Sequence, residues 1–193
     1  MNYKFKKIIK KKNKSKIICL TAYSKNIAEI IDNHADIVLV GDSLGSVLYN
    51  YDTTRKVTLK MMIEHTKSVR MGVKKSLLII DLPYKTYRNK SEALKNSKKA
   101  IKETKCDAVK IEGGARVKEI VRHLVKNKIP VLGHIGITPQ TTKGKFKSKG
   151  RSEVEKKKLI KDARALEDSG AFGIVLECIY SDISKKITKL VKI

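Results

Sequence analysis

The sequence predicts an α/β fold with parallel strands, and three observations carry that expectation. Short β-branched runs alternate strictly with amphipathic helical segments. Each run ends in polar residues. Hydrophobic residues make up 41% of the 193, enough for a folded core and too many for a disordered tail. Alternating βα units imply parallel strands joined by right-handed crossovers.

In chain order, the strand candidates are Lys16–Ala22, Asp36–Val40, Ser76–Ile80, Ala108–Ile111, Pro130–Ile135 and Phe172–Leu176. Between them lie helical patterns at Leu59–Val69, Ser91–Glu103, Val117–Lys126 and Glu153–Ser169, with Asp182–Leu190 after the last run. Ser91 before Glu92 and Ser152 before Glu153 read as helix N-caps, with acids in the first turn. Six strands suit an open doubly wound sheet. A (β/α)8 barrel needs eight, typically over about 250 residues. The pattern leaves both open.

In either architecture ligands bind at the carboxyl ends of strands. There the sequence places four acids, Asp42, Asp81, Glu112 and Glu177, on four different strands. Carboxylates that converge repel one another unless a cation joins them. Oxygen donors without a His/Cys cluster favour Mg²⁺ over zinc or copper. The alternative for each acid is a structural salt bridge with a lysine. Lys110 and Glu112 are two apart in a strand and share a face, where a buried lysine would meet a substrate carboxylate or enolate oxygen. His134, in the fifth run, reads equally as a core group or a catalyst. His34, His65 and His123 fall in helical patterns and read as structural. Gly113–Gly114 permits close approach of backbone to a ligand. No GxGxxG or GxxxxGK[ST] occurs, so nucleotide phosphate binding has no support.

The charge is +25, from 44 Lys plus Arg against 19 Asp plus Glu. The cations are mostly lysine, scattered over the whole length. There is no Trp, and only three Phe, so the stacking and Arg-rich faces of a specific nucleic-acid reader are missing. Compositional drift explains the charge better, with weak salt-sensitive binding to polyanions expected. No apolar run is long enough to span a membrane. The basic segment 1–15 is followed by no apolar signal segment, so a cytoplasmic location is expected. Cys19, Cys106 and Cys178 match no CxxC pattern and read as small buried hydrophobes.

GDSLGSVLYNYDTTRKVTLKMMIEHTKSVRMG, DLPY, VKIEGG, PVLGHIGITPQ and GAFGIVLEC, in that order, resemble the ketopantoate hydroxymethyltransferase family. The resemblance covers nearly the whole chain from about Lys16. It implies a TIM-type (β/α)8 barrel of which about six of eight βα units are present, a single, incomplete catalytic domain over 1–193. It implies Mg²⁺-dependent transfer of a hydroxymethyl group from 5,10-methylenetetrahydrofolate to the 2-oxo acid 3-methyl-2-oxobutanoate, in pantothenate synthesis, by a homo-oligomer, often a decamer. Asp42, Asp81 and Glu112 correspond to its metal site. Asp42, Ser43, Asp81 and Lys110 correspond to its substrate contacts, Glu177 to its proton acceptor and His134 to its active-site histidine.

The resemblance also implies that the chain stops about where a seventh strand would begin, leaving an unclosed barrel with exposed edges. Lys85 stands where the family has a small residue. The loop Thr141–Gly150 is short and basic, which bears on folate contacts. Asn50 replaces a common Gly, and Asn tolerates positive φ. The rival expectations are an inactive remnant of that enzyme, another Mg²⁺/2-oxo-acid barrel enzyme of the phosphoenolpyruvate mutase and isocitrate lyase type, and a basic nucleic-acid-associated protein.

Overall fold

Each β-branched run forms a strand in the computed structural model, which describes residues 3–142, 144 and 146–193. The chain divides into two compact units, Met1–Lys110 and Ile111–Ile193. Strand order follows chain order. The pattern of parallel βα units therefore stands, in both units.

The first unit holds β1 (Cys19–Thr21), β2 (Ile37–Val40), β3 (Leu77–Asp81) and most of β4 (Ala108–Glu112). Its registers pair Val38 with Leu78 and Asp81 with Lys110, all parallel. Every residue of β3 is buried, as expected of a strand covered on both faces. The helices are α1 (Tyr3–Lys10), α2 (Lys25–Ile31), α3 (Leu44–Tyr49), α4 (Leu59–Gly72) and α5 (Lys90–Thr104). α4 starts at Thr58, whose side chain accepts the Met61 N–H, and buries Met62, Ile63, Thr66 and Val69.

Four local features differ from, or add to, the sequence pattern. The basic N-terminal segment contains α1, which the scattered lysines hide. Phe5 and Ile8 are buried on one side of it, Lys4 Nζ donates to Ser76 O at 2.8 Å, and beyond its end Lys11 meets Asp36 at 2.6 Å. The N-cap of α5 is Asn89, not Ser91: Asn89 accepts the Glu92 N–H at 2.9 Å, and Ser91 lies inside the helix. Asn is as good a cap as Ser and stands three residues before the acid. Asn50 closes α3 with φ 54, the left-handed conformation expected of a residue in a glycine's place. Lys85 also has positive φ, 64, and its Nζ lies 5.4 Å from the Tyr84 ring centre.

The second unit holds the end of β4, then α6 (Lys118–Lys126), β5 (Val131–Gly136), α7 (Glu153–Asp168), β6 (Gly173–Glu177) and α8 (Ser181–Leu190). β5 and β6 are parallel, with Gly136 opposite Glu177. Just past β4, Gly113 N–H donates to His134 O at 3.0 Å. Ser152 caps α7 as expected, accepting the Glu155 N–H. In the 141–150 loop, Lys143 and Lys145 lie outside the described residues.

Cys106 is buried, and burial pushes its thiol up to about 11. Cys19 and Cys178 are exposed, which corrects the expectation that all three are core residues. Cys19 opens β1, which has no buried residue, and Cys178 is the first residue past β6. Among the described residues no helix is long and apolar enough to cross a membrane.

Candidate active site

Every sequence-predicted site residue lies within three residues of the carboxyl end of a strand. In the first unit, Asp42 and Ser43 follow β2, Asp81 ends β3, and Lys110 lies two residues before the end of β4. The register sets Asp81 beside Lys110. Their side chains meet in a buried ion pair, Nζ to Oδ2 at 2.5 Å. Lys110 is therefore not a solvent-facing strand lysine.

The pair is held in tension. Burial pushes the Asp81 carboxyl up to about 7, opposed by the Lys110 cation and aided by the charge on Asp42. Its Oδ1 is buried with no hydrogen-bond partner of normal geometry among the described residues. A buried carboxylate oxygen left this way, with a second acid close enough to repel it, is a setting that a hard cation relieves. Mg²⁺ is commonly held by one or two carboxylates plus water and substrate oxygens, so the donors fit that ion. Among the described residues no group of three or more His, Cys, Asp or Glu side chains converges as a metal cage. Ser43 is exposed, and its Oγ lies 2.8 Å from Tyr23 Oη.

The second unit brings Glu112, His134 and Glu177 together. His134 is buried, on β5. Its Nδ1 lies 3.6 Å from Glu112 Oε2 and its Nε2 3.1 Å from Glu177 Oε2. One imidazole thus stands between two carboxylates. Glu112 is held in turn by the Gln140 N–H, 3.0 Å from Oε1. The two acids differ in access: the Glu112 side chain is 2% exposed and that of Glu177 40%. The exposed one can reach a substrate, and the buried one faces the ring.

Gly136 has φ 104, and a side chain there would collide with the Glu177 carbonyl. A glycine is what lets the ends of β5 and β6 close and bring His134 to Glu177. Gly114 has φ 58, and a Cβ there would run into Asp162 of α7, whose Oδ1 accepts the Ala115 N–H at 2.9 Å. Gly114 therefore accommodates close approach of this side chain.

Sequence reasoning missed His65 and Tyr49. His65 Nδ1 lies 2.7 Å from Tyr23 O and its Nε2 2.8 Å from Tyr49 Oη. The only sequence signal was a histidine nearly two helical turns past the start of α4, which says nothing about its partners.

A family model described as ketopantoate hydroxymethyltransferase matches residues 2–193. The chain is 62% identical over 193 residues to the 3-methyl-2-oxobutanoate hydroxymethyltransferase of Pelagibacter ubique, covering all of this chain and 75% of that protein. It is 47% identical over 180 residues to the enzyme of the same name from Sinorhizobium fredii, covering 92% of this chain and 66% of that one. Among solved structures, a phosphonopyruvate hydrolase complex with oxalate and Mg²⁺ aligns with a TM-score of 0.71 at 10% identity, covering 96% of this chain and 68% of that one. A 2,3-dimethylmalate lyase of the PEP mutase/isocitrate lyase superfamily aligns at 0.69 and 15%, covering 98% and 69%. At such identities the likeness is one of fold.

Proposed function

The chain belongs to the ketopantoate hydroxymethyltransferase family, and from that premise we propose that it transfers a hydroxymethyl group from 5,10-methylenetetrahydrofolate to 3-methyl-2-oxobutanoate, giving 2-dehydropantoate. The observation that carries the reading is buried Asp81, ion-paired to Lys110 and repelled by the charge of Asp42.

Asp42 and Asp81 are the side chains that would hold Mg²⁺, and Glu112 is the third acid the family pattern assigns to that site. The ion, when bound, supplies Lewis-acid stabilisation of the negative charge that builds on the substrate oxygens. Asp42, Ser43, Asp81 and Lys110 bind and orient the 2-oxo acid, and Lys110 adds a fixed cation for its oxygens. Glu177 takes the C3 proton, acting as general base from its half-exposed position. His134 holds Glu177 on one side while Glu112 holds the imidazole on the other. Water first cleaves the one-carbon unit from the folate, freeing tetrahydrofolate and leaving a formaldehyde-level carbon. With the C3 proton on Glu177, the nucleophilic carbon attacks that carbon, and its oxygen takes up a proton to become the hydroxymethyl hydroxyl. We assign both units to one catalytic domain, working as a homo-oligomer in the cytoplasm.

Purified chain supplied with both substrates tests this. Formation of 2-dehydropantoate that needs Mg²⁺ and falls about 10²-fold or more in Glu177→Gln is expected. Keto-acid binding without turnover would instead identify an inactive relative.

A further inference from the structure

We propose that His65 is a positioning residue that sets the Ser43 hydroxyl against the carboxylate of the 2-oxo acid. The proposal rests on the reading of Ser43 as a substrate contact.

α3 follows Ser43 directly and has little packing of its own. Of its six residues only Leu44 and Gly45 are buried, and a helix this short is not stable alone. One imidazole ties both of its ends. At the far end, the Tyr49 hydroxyl lies 2.8 Å from His65 Nε2, with the two rings edge to face at 5.9 Å. At the near end, His65 Nδ1 lies 2.7 Å from the Tyr23 carbonyl oxygen, and the Tyr23 hydroxyl lies 2.8 Å from Ser43 Oγ. A carbonyl only accepts, so Nδ1 carries a proton.

Tyr23 and Ser43 have two O–H groups and spend one on their mutual bond. The other remains to donate outward, and an incoming carboxylate oxygen is the acceptor it suits. His65 fixes the backbone that carries Tyr23, and so fixes the direction of that remaining donor. It touches no substrate itself.

Calorimetric titration of the full chain with 3-methyl-2-oxobutanoate at saturating Mg²⁺ tests the clamp. Ser43→Ala, Tyr23→Phe and His65→Gln are each expected to weaken binding about five-fold. His65→Asn, whose amide can stand where Nδ1 stood, keeps the Tyr23 contact and loses only the Tyr49 one, so it is expected to weaken binding about two-fold, less than His65→Gln. Because Tyr23 and His65 act as one unit, the double variant Tyr23→Phe/His65→Gln should bind about as weakly as either alone. Tyr49→Phe, which removes only the Nε2 contact, should weaken binding in the same direction and reads the clamp if His65→Gln fails to fold. Parent-like binding by His65→Gln or, failing that, by Tyr49→Phe, or full additivity in the double variant, would overturn the clamp while Ser43→Ala still weakens. Parent-like binding by Ser43→Ala would instead remove the reading of Ser43 on which the proposal stands.

Discussion

Lys110 is the residue on which most of the first unit's buried electrostatics turns. Replacing it with Met leaves Asp81 buried without its counter-charge, a loss of about 3–5 kcal/mol when a buried pair is broken from one side. The loss depends on pH. The Asp81 carboxyl is raised to about 7 from an ordinary 3.8, so its favourable contribution is full at low pH and disappears as pH rises through 7. Urea denaturation should therefore show Lys110→Met more damaging at pH 8 than at pH 5, where Asp81 takes a proton. Asp32 gives the opposite sign. Burial alone would raise it, yet the N–H groups of Ser76, Lys75 and Lys74 all donate to its carboxylate and hold it below 3.8. Its contribution is present above that value and lost as pH falls through the lowered one. Asp32→Ala should cost about 2 kcal/mol at pH 7 and progressively less in acid, by the same measurement.

At the scale of elements, the N-cap of α5 makes the cleanest test. Asn89→Ala should cost about 1 kcal/mol and Ser91→Ala only a few tenths, read from urea midpoints. The six strands were legible because β-branched runs bounded by polar residues have few other solutions. The cap was misread because Ser91 and Asn89 are both good caps, and only backbone geometry separates them. α1 was missed because Phe5 and Ile8 are diluted by lysines. Those lysines meet Asp36 and Asp107, pairings invisible until the chain is folded. The site's acids were legible from their place at strand ends. The His134 contacts to Glu112 and Glu177 were not, since they depend on Gly136 letting two strand ends close. Nothing in the sequence linked His65 to Tyr23 and Tyr49.

For the molecule as a whole, its match to hydroxymethyltransferases is one of sequence, while its likeness to Mg²⁺-complexed phosphonopyruvate hydrolase is one of fold. Most of the net charge of +25 comes from lysines outside the candidate site. The central claim is that Glu177 removes the C3 proton of 3-methyl-2-oxobutanoate in a Mg²⁺-dependent step. Proton NMR in D₂O reads this directly, with no folate present. The account predicts loss of the C3–H signal with the parent chain and Mg²⁺, abolished by a chelator and slowed about 10²-fold or more in Glu177→Gln. Exchange that ignores Mg²⁺, or that proceeds unchanged in Glu177→Gln, would contradict it.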